Sequence, residues 1–300
     1  KYGGAWRTEF LFKKYITEIS VAGDSKSFDD ADVDRVFRID GLADKIRAGE
    51  NLDELCPFVK DFDLVFHTNP GLYLNTSKPQ LVWVVGQYET VHLKHRHLVF
   101  HNFKNQKPQF QVNRPDINIY EFVLGIEMPE FQKRIKQDFI FQCSNHYPQI
   151  QSAILANLCR KYKVSGIFAG PIAENYRKEF FNSIDNIHTF YLGVISEQEK
   201  IKYLSNACMF GAIYDFFINE TPLALKQALS YNCSILTTGA GHLKETIKNG
   251  YNGFYIHDEK DFPSIWDDRN KIEQINCYNS IQGYNVHNMI KSFKEVIEKI

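Results

Sequence analysis

Glycine and proline are scarce, 17 and 10 in 300 residues, and no repeat or low-complexity tract interrupts the chain. That composition argues against a disordered protein. Cysteine occurs six times, at 56, 143, 159, 208, 233 and 277, never as C-x-x-C. The scatter fits neither a zinc site nor a small disulfide scaffold, and it points to reduced thiols in a cytoplasmic setting. No run approaches the ~18–20 apolar residues of a membrane span, and no signal peptide is visible. The formal net charge is −1, which removes the usual basis for nucleic-acid binding. No G-x-G-x-x-G follows an early strand, which argues against a dinucleotide-dependent dehydrogenase.

What is present is the makeup of a globular protein. Hydrophobic residues are 44% and charged residues 24%, and the length allows two domains. The 24 Phe and 16 Tyr are mostly core material, with some left to stack on a sugar or a base. Apolar runs read as strands at 16–22, 63–67, 80–85, 98–103 and 119–124, then at 138–143, 164–169 and 187–192. The near-continuous QLVWVV from Gln80 is typical of a buried parallel strand. Helical patterns at 151–162, 197–206 and 286–300 alternate with the later strands, so a parallel α/β sheet is expected. The polar stretch 127–136, with Pro129, reads as an interdomain linker.

In such sheets ligands bind at the carboxyl ends of the strands. His67, Asn69, Gly86, Gln87 and His92 follow strand ends and are candidates to line a cleft from the amino-terminal side. The His92, His95, His97 spacing is broken by Lys94 and Arg96, which does not suit zinc. Asp29, Asp30, Asp32 and Asp34 form Asp-x-Asp twice, but read best as a solvated loop or helix start. No metal site is expected. Gly3-Gly4, ahead of Arg7, allows the backbone to approach a ligand closely.

The densest stretch runs from Gly211 to Ile256. The apolar 212–218 reads as a strand, ended by Asn219-Glu220. Thr221-Pro222 then opens a helix, with Thr as N-cap and Pro at the first helical position. Gly239-Ala240-Gly241 turns into a second helix. Glu220 therefore stands beside a helix N-terminus, where free N–H groups favour an anion. A carboxylate there suits sugar hydroxyls, so the pair suggests a ligand carrying both a phosphate and a polyol.

This order of motifs resembles the donor-binding half of GT-B-fold glycosyltransferases, in particular the retaining group called group 1 or family 4. The matching residues are Tyr191-Leu192-Gly193-Val194-Ile195 before Glu197, then Asn219-Glu220, Leu223 and Gln227-Ala228-Leu229. Gly239-Ala240-Gly241 with Glu245 follows, then Asn249-Gly250-Tyr251-Asn252-Gly253-Phe254. The chain departs from the family twice. Gln227 falls where the family has a second Glu, in a segment one residue shorter. The loop 144–149 lacks the family's Arg and Lys.

The resemblance implies two Rossmann-like domains with parallel sheets facing a central cleft. They would span 1–133 and 134–283, with a helix at 284–300 returning to the first, and the family's first strand would precede Lys1. It implies transfer of a sugar from a nucleotide-sugar to a glycan or other hydroxyl acceptor, with retention and without metal or resident cofactor, a nucleoside diphosphate leaving. Glu220 is the expected catalytic-centre residue, holding the sugar hydroxyls. Asn219, Thr221, Pro222, Leu223 and Gly241 would lie against sugar and phosphate, with Gly3, Gly4, Arg7, Ser144, Asn145 and Gly170. Gln227 would bind the ribose, and the backbone of Val194 and Ile195 the base. The departures support one alternative, a catalytically silent GT-B-like domain that binds a nucleotide-sugar, glycan or enzyme partner; another GT-B enzyme, a nucleotide-sugar epimerase, would need further acidic or His residues near the sugar.

Overall fold

The computed structural model describes residues 21–24, 36–39, 42–67, 73–83, 94–100, 116–216 and 221–300. The chain divides into two compact units, 1–125 together with 286–300, and 126–285.

In the first unit, β1 (Val21–Asp24) and β2 (Val36–Ile39) form a parallel pair. Strands β3 (Val65–His67), β4 (Gln80–Trp83), β5 (His97–Phe100) and β6 (Asn118–Glu121) form a parallel sheet in that order. Every residue of β4 is buried, as its unbroken apolar run predicts. The helix Val286–Ile297 belongs to this unit and buries Val286, Met289, Phe293 and Val296. Those positions recur every three or four residues, which makes one apolar stripe. Phe293 packs edge-on against Phe66 and Phe122, with ring centroids 5.1 and 5.7 Å away. Trp83 meets Phe122 the same way at 5.3 Å. The Asp-x-Asp stretch lies outside the described residues.

The second unit is one parallel sheet of six strands. They are β7 (Gln137–Cys143), β8 (Ser165–Ala169), β9 (Thr189–Tyr191), β10 (Ala207–Ala212), β11 (Ser234–Thr237) and β12 (Gly253–Tyr255). Their spatial order is β12-β11-β10-β7-β8-β9. The chain builds outward from β7 to one edge, returns to β10, and builds to the other edge. Helices Ser152–Lys161, Arg177–Ser183, Glu197–Asn206 and Leu223–Ser230 connect these strands. Ser196 starts the third of them with a full capping box, its hydroxyl accepting from Glu199 N and the Glu199 carboxylate accepting from Ser196 N. Helix Ser152–Lys161 lies so close to β10 that a β-carbon on Gly211 would sit 2.2 Å from Leu155 Cδ2.

Two expectations need correction. The strand expected at 212–218 is β10 at Ala207–Ala212, and 213–216 has left the sheet. The ACMFGA segment directly continues a helix, and its small residues let β10 sit buried between β7 and β11. The helix expected from Thr221 begins at Leu223, with Pro222 in extended backbone at the N-cap.

All six cysteines are free thiols, and all but Cys143 are buried. Burial pushes the Cys56 thiol up to about 11 and those of Cys208, Cys233 and Cys277 up to about 12. Among the described residues no helix is long and apolar enough to cross a membrane.

Candidate functional site

The reversal between β7 and β10 leaves a crevice at the carboxyl ends of the central strands, where doubly wound sheets take their ligands. The described residues there follow β7 (144–151), β8 (170–173), β9 (192–196), β10 (213–216, then 221–222) and β11 (238–242).

The loop after β7 is fixed from beneath. His146 is fully buried and stacks on Phe180 at 4.9 Å. Its Nε2 is 2.9 Å from the Ala169 carbonyl and its Nδ1 is 2.7 Å from Ser152 Oγ. A carbonyl only accepts, so Nε2 carries the proton and Ser152 donates to Nδ1. Burial holds the imidazole down at about 4, against the carbonyl bond that favours its charged form. Both ring nitrogens are therefore committed inside the protein, and His146 offers no free N–H to a phosphate. Nothing in the sequence signals this, because the partners lie 6 and 23 residues away.

The N-terminus of helix Ser152–Lys161 is closed as well. Tyr176 Oη accepts from Ala153 N at 2.8 Å. Gln149 O accepts from Asp215 N at 3.2 Å, tying the loop after β7 to the loop after β10. Ser144 N donates to Ala169 O at 3.1 Å, and Ser144 Oγ has no hydrogen-bond partner among the described residues. Asn145 is exposed. Gly170 presses against Ser144, donates to Gly193 O at 2.8 Å, and accepts from Tyr191 Oη at 2.7 Å. Three loops are thus bound into one rim, which brings Ser144, Gly170 and the 193–195 backbone together. Val194 is 74% exposed and Ile195 half-buried.

On the other side of the crevice stands helix Leu223–Ser230. Pro222 supplies no side-chain cap, and the Thr221 hydroxyl donates to Thr246 Oγ1 at 2.7 Å instead of capping. Gln227 is buried, and its Nε2 donates to Glu197 Oε1 at 2.7 Å. Lys200 Nζ lies 2.6 Å from Glu197 Oε2. Glu197 was part of the motif but not a candidate ligand residue. Its signal is the Glu-x-x-Lys spacing at the start of a helix. Gly241 is left-handed at φ 57°, and the helix after it, Leu243–Thr246, is a single turn. The expected second helix N-terminus is therefore too short to act as an anion site.

His67 ends β3 in the first unit, with its ring 5.5 Å from that of His95. Burial, then the neighbouring His95, lowers it to about 4. Gly3, Gly4, Arg7, Asn69, Gly86, Gln87, His92, Asn219 and Glu220 lie outside the described residues. Among the described residues no three His, Cys, Asp or Glu side chains are grouped to hold a metal.

The architecture has counterparts among solved structures. HepE of Anabaena, solved with UDP-glucose, superposes with a TM-score of 0.74 at 13% identity, over 100% of this chain and 97% of its own. A glycosyltransferase of Rickettsia africae gives 0.73 at 13%, over 99% and 95%. AviGT4, a glycosyltransferase involved in avilamycin A biosynthesis, gives 0.67 at 11%, over 99% and 89%. The fold is GT-B. No protein-family model and no curated protein sequence matches the chain. Within the GT-B fold, the six-stranded unit is the one whose motifs resemble the donor-binding half.

Proposed function

We propose that the protein transfers a glycosyl group from a nucleotide-sugar to an acceptor hydroxyl. The observation that carries this reading is the strand-order reversal between β7 and β10, with the 193–195 backbone, bonded to Gly170 through Gly193 O, after β9 and the start of helix Leu223–Ser230 after β10. Full-length likeness to glycosyltransferases, one of them holding UDP-glucose, supports it.

In this reading the base lies on the Val194–Ile195 backbone. The diphosphate lies at the N–H groups of Leu223 and its neighbours, where the helix dipole favours negative charge. Glu220, one residue before Thr221, holds the sugar hydroxyls. Transfer retains the anomeric configuration and uses fixed dipoles rather than a metal to stabilise the leaving diphosphate. Loops of the first unit, with His67 at the end of β3, select the acceptor. We place the protein in the cytoplasm.

A second reading, a silent domain that binds the nucleotide-sugar without turning it over, draws on one feature. The loop 144–149 carries no cation, and the helix N-terminus behind it is closed by Tyr176.

Thermal unfolding against UDP-, GDP-, ADP- and CMP-sugars tests the binding. A ligand at a hundred times its Kd adds about 2.7 kcal/mol of stability. One donor is expected to raise the midpoint, and Glu220→Ala to abolish most of the rise. Release of nucleotide on adding acceptor, with an unchanged anomeric configuration by NMR, is expected of a retaining enzyme. Binding without turnover would move the assignment to the silent domain, and no binding would remove both.

A further inference from the structure

The second unit holds a polar cavity at the opposite end of its sheet from the crevice. It lies at the amino-terminal ends of β7, β10 and β11 and measures about 180 Å³, far above the ~10–15 Å³ that one water needs. Lys136, Cys208, Asn232 and Ser234 line it from the sheet, and Arg269 and Cys277 from the segment after β12. Among the described residues no carboxylate lines it.

Asn232 carries the argument. It is 3% exposed, and its Nδ2 donates to Gln132 O at 2.7 Å. Its Oδ1 is buried and has no hydrogen-bond partner among the described residues. The backbone is left-handed at φ 61°, which suits the Gly or Asn that follows a helix. That accounts for the residue type, but not for a buried carbonyl without a donor, which is costly to desolvate. Oδ1 calls for a ligand that carries a proton to it.

The cations of the wall define the rest of that ligand. Lys136 Nζ donates to the carbonyls of Leu204, Ser205 and Tyr231. All three of its N–H groups are used, and its charge offsets the negative ends of two helices. Arg269 has more to give. Of a guanidinium's five N–H groups, Nε donates to Asp138 Oδ1 at 2.9 Å and Nη1 to Trp266 O at 2.7 Å, which leaves three. The Arg269 side chain is 18% exposed and that of Asp138 63%, so water screens the carboxylate more than the cation. Burial pushes the thiols of Cys208 and Cys277 up to about 12, so both stay neutral. The wall therefore offers charged donors on one side and a lone acceptor on the other.

We propose that this cavity binds inorganic phosphate in its hydrogen-phosphate form. The P–O–H donates to Asn232 Oδ1, and the charged oxygens accept from Arg269, in bonds that the ionic charge strengthens. Sulfate has the same shape and no proton to give. A phosphate monoester, whose second ionisation falls at about pH 6, has lost that proton by pH 7.5. The site thus selects a protonated oxyanion over bare ones.

The test is isothermal titration of the full chain with phosphate, sulfate and methyl phosphate at pH 7.5. Phosphate is expected to bind at least about tenfold more tightly than either of the others, the worth of one charged hydrogen bond. Asn232→Gly keeps the left-handed backbone and removes Oδ1, so it is expected to bring the ratio close to one by weakening phosphate alone. Its unchanged sulfate affinity shows that the cavity is intact. Arg269→Gln is expected to weaken all three anions at least about tenfold, which assigns them to this cavity and not to the crevice. No binding of phosphate to the unaltered protein, a ratio near one there, or anion binding that Arg269→Gln leaves unchanged overturns the inference. None of these results bears on the nucleotide-sugar reading, which concerns the other end of the sheet.

Discussion

The carbonyl oxygen of Ser144 lies 2.0 Å from where a β-carbon on residue 170 would stand. Gly170 also has φ 119°, outside the range of L side chains. Gly170→Ala must therefore displace the loop after β7 as well as strain its own backbone. We expect a loss of about 2–4 kcal/mol and a fall in nucleotide affinity of tenfold or more. Urea midpoints and titrations check this, and an unaltered midpoint would show that the loop can yield.

Two histidines, His146 buried and His67 half-buried, make stability depend on pH in a defined window. Burial holds His67 and His146 at about 4, below the ordinary 6.5. The unfolded chain takes up protons first as pH falls, so their contribution is full above 6.5 and drains away down to about 4. The expected loss is roughly 2 kcal/mol per histidine between pH 7 and pH 5. Asp53, held down at about 2 by hydrogen bonds from Ser77 and Thr76, acts only below 3.8. Urea midpoints at half-unit pH steps separate the two ranges. A flat profile from pH 7 to pH 5 would contradict the neutral, buried assignment.

Lys136 closes the ends of two helices. Its Nζ donates to Leu204 O, Ser205 O and Tyr231 O at 3.2, 3.1 and 2.8 Å. A cation at helix C-termini also meets the negative end of the dipole. Lys136→Met keeps the length and removes all three donors, so a loss of about 2–4 kcal/mol is expected. The site lies at the amino-terminal end of the sheet, so nucleotide affinity of the folded protein should not change. A variant of normal stability would mean that water replaces the ammonium without penalty.

Phe293 is the centre of the first unit's aromatic cluster, 1% exposed between Phe66 and Phe122. Phe293→Ala should cost about 3–5 kcal/mol. The loss should appear in the first unit's melting transition and leave the second unit's in place. Equal shifts in both would show that the units unfold together.

Strands were easiest to read where the residues allowed one structure only. DFIFQC and QLVW are largely apolar runs, and both form strands that are buried over most of their length. ACMFGA was missed because its small residues follow a helix without punctuation, while the aromatic AIYDFFI beyond it looked more strand-like. Helix Arg177–Ser183 was missed too, since it buries only Phe180 and Ser183. In the site, Gly170 was legible through the resemblance, but its contact with Ser144 joins residues 26 apart. Gln227 was legible as a departure from a motif. Its hydrogen bond to Glu197 was not, because a contact across 30 residues leaves no local pattern.

The buried thiols turn the molecule into its own clock. Cys56 lies in the first unit, and Cys159, Cys208, Cys233 and Cys277 lie in the second. Buried and held as neutral thiols, they are poor nucleophiles while the chain is folded. An alkylating reagent then modifies each only when its surroundings open. Mass analysis of the peptide holding Cys56, beside those holding the other four, would time the opening of each half without any engineered label. Added nucleotide should slow the second set of reactions by the factor with which it binds, so the protein's own sulfur atoms can report which half holds the ligand.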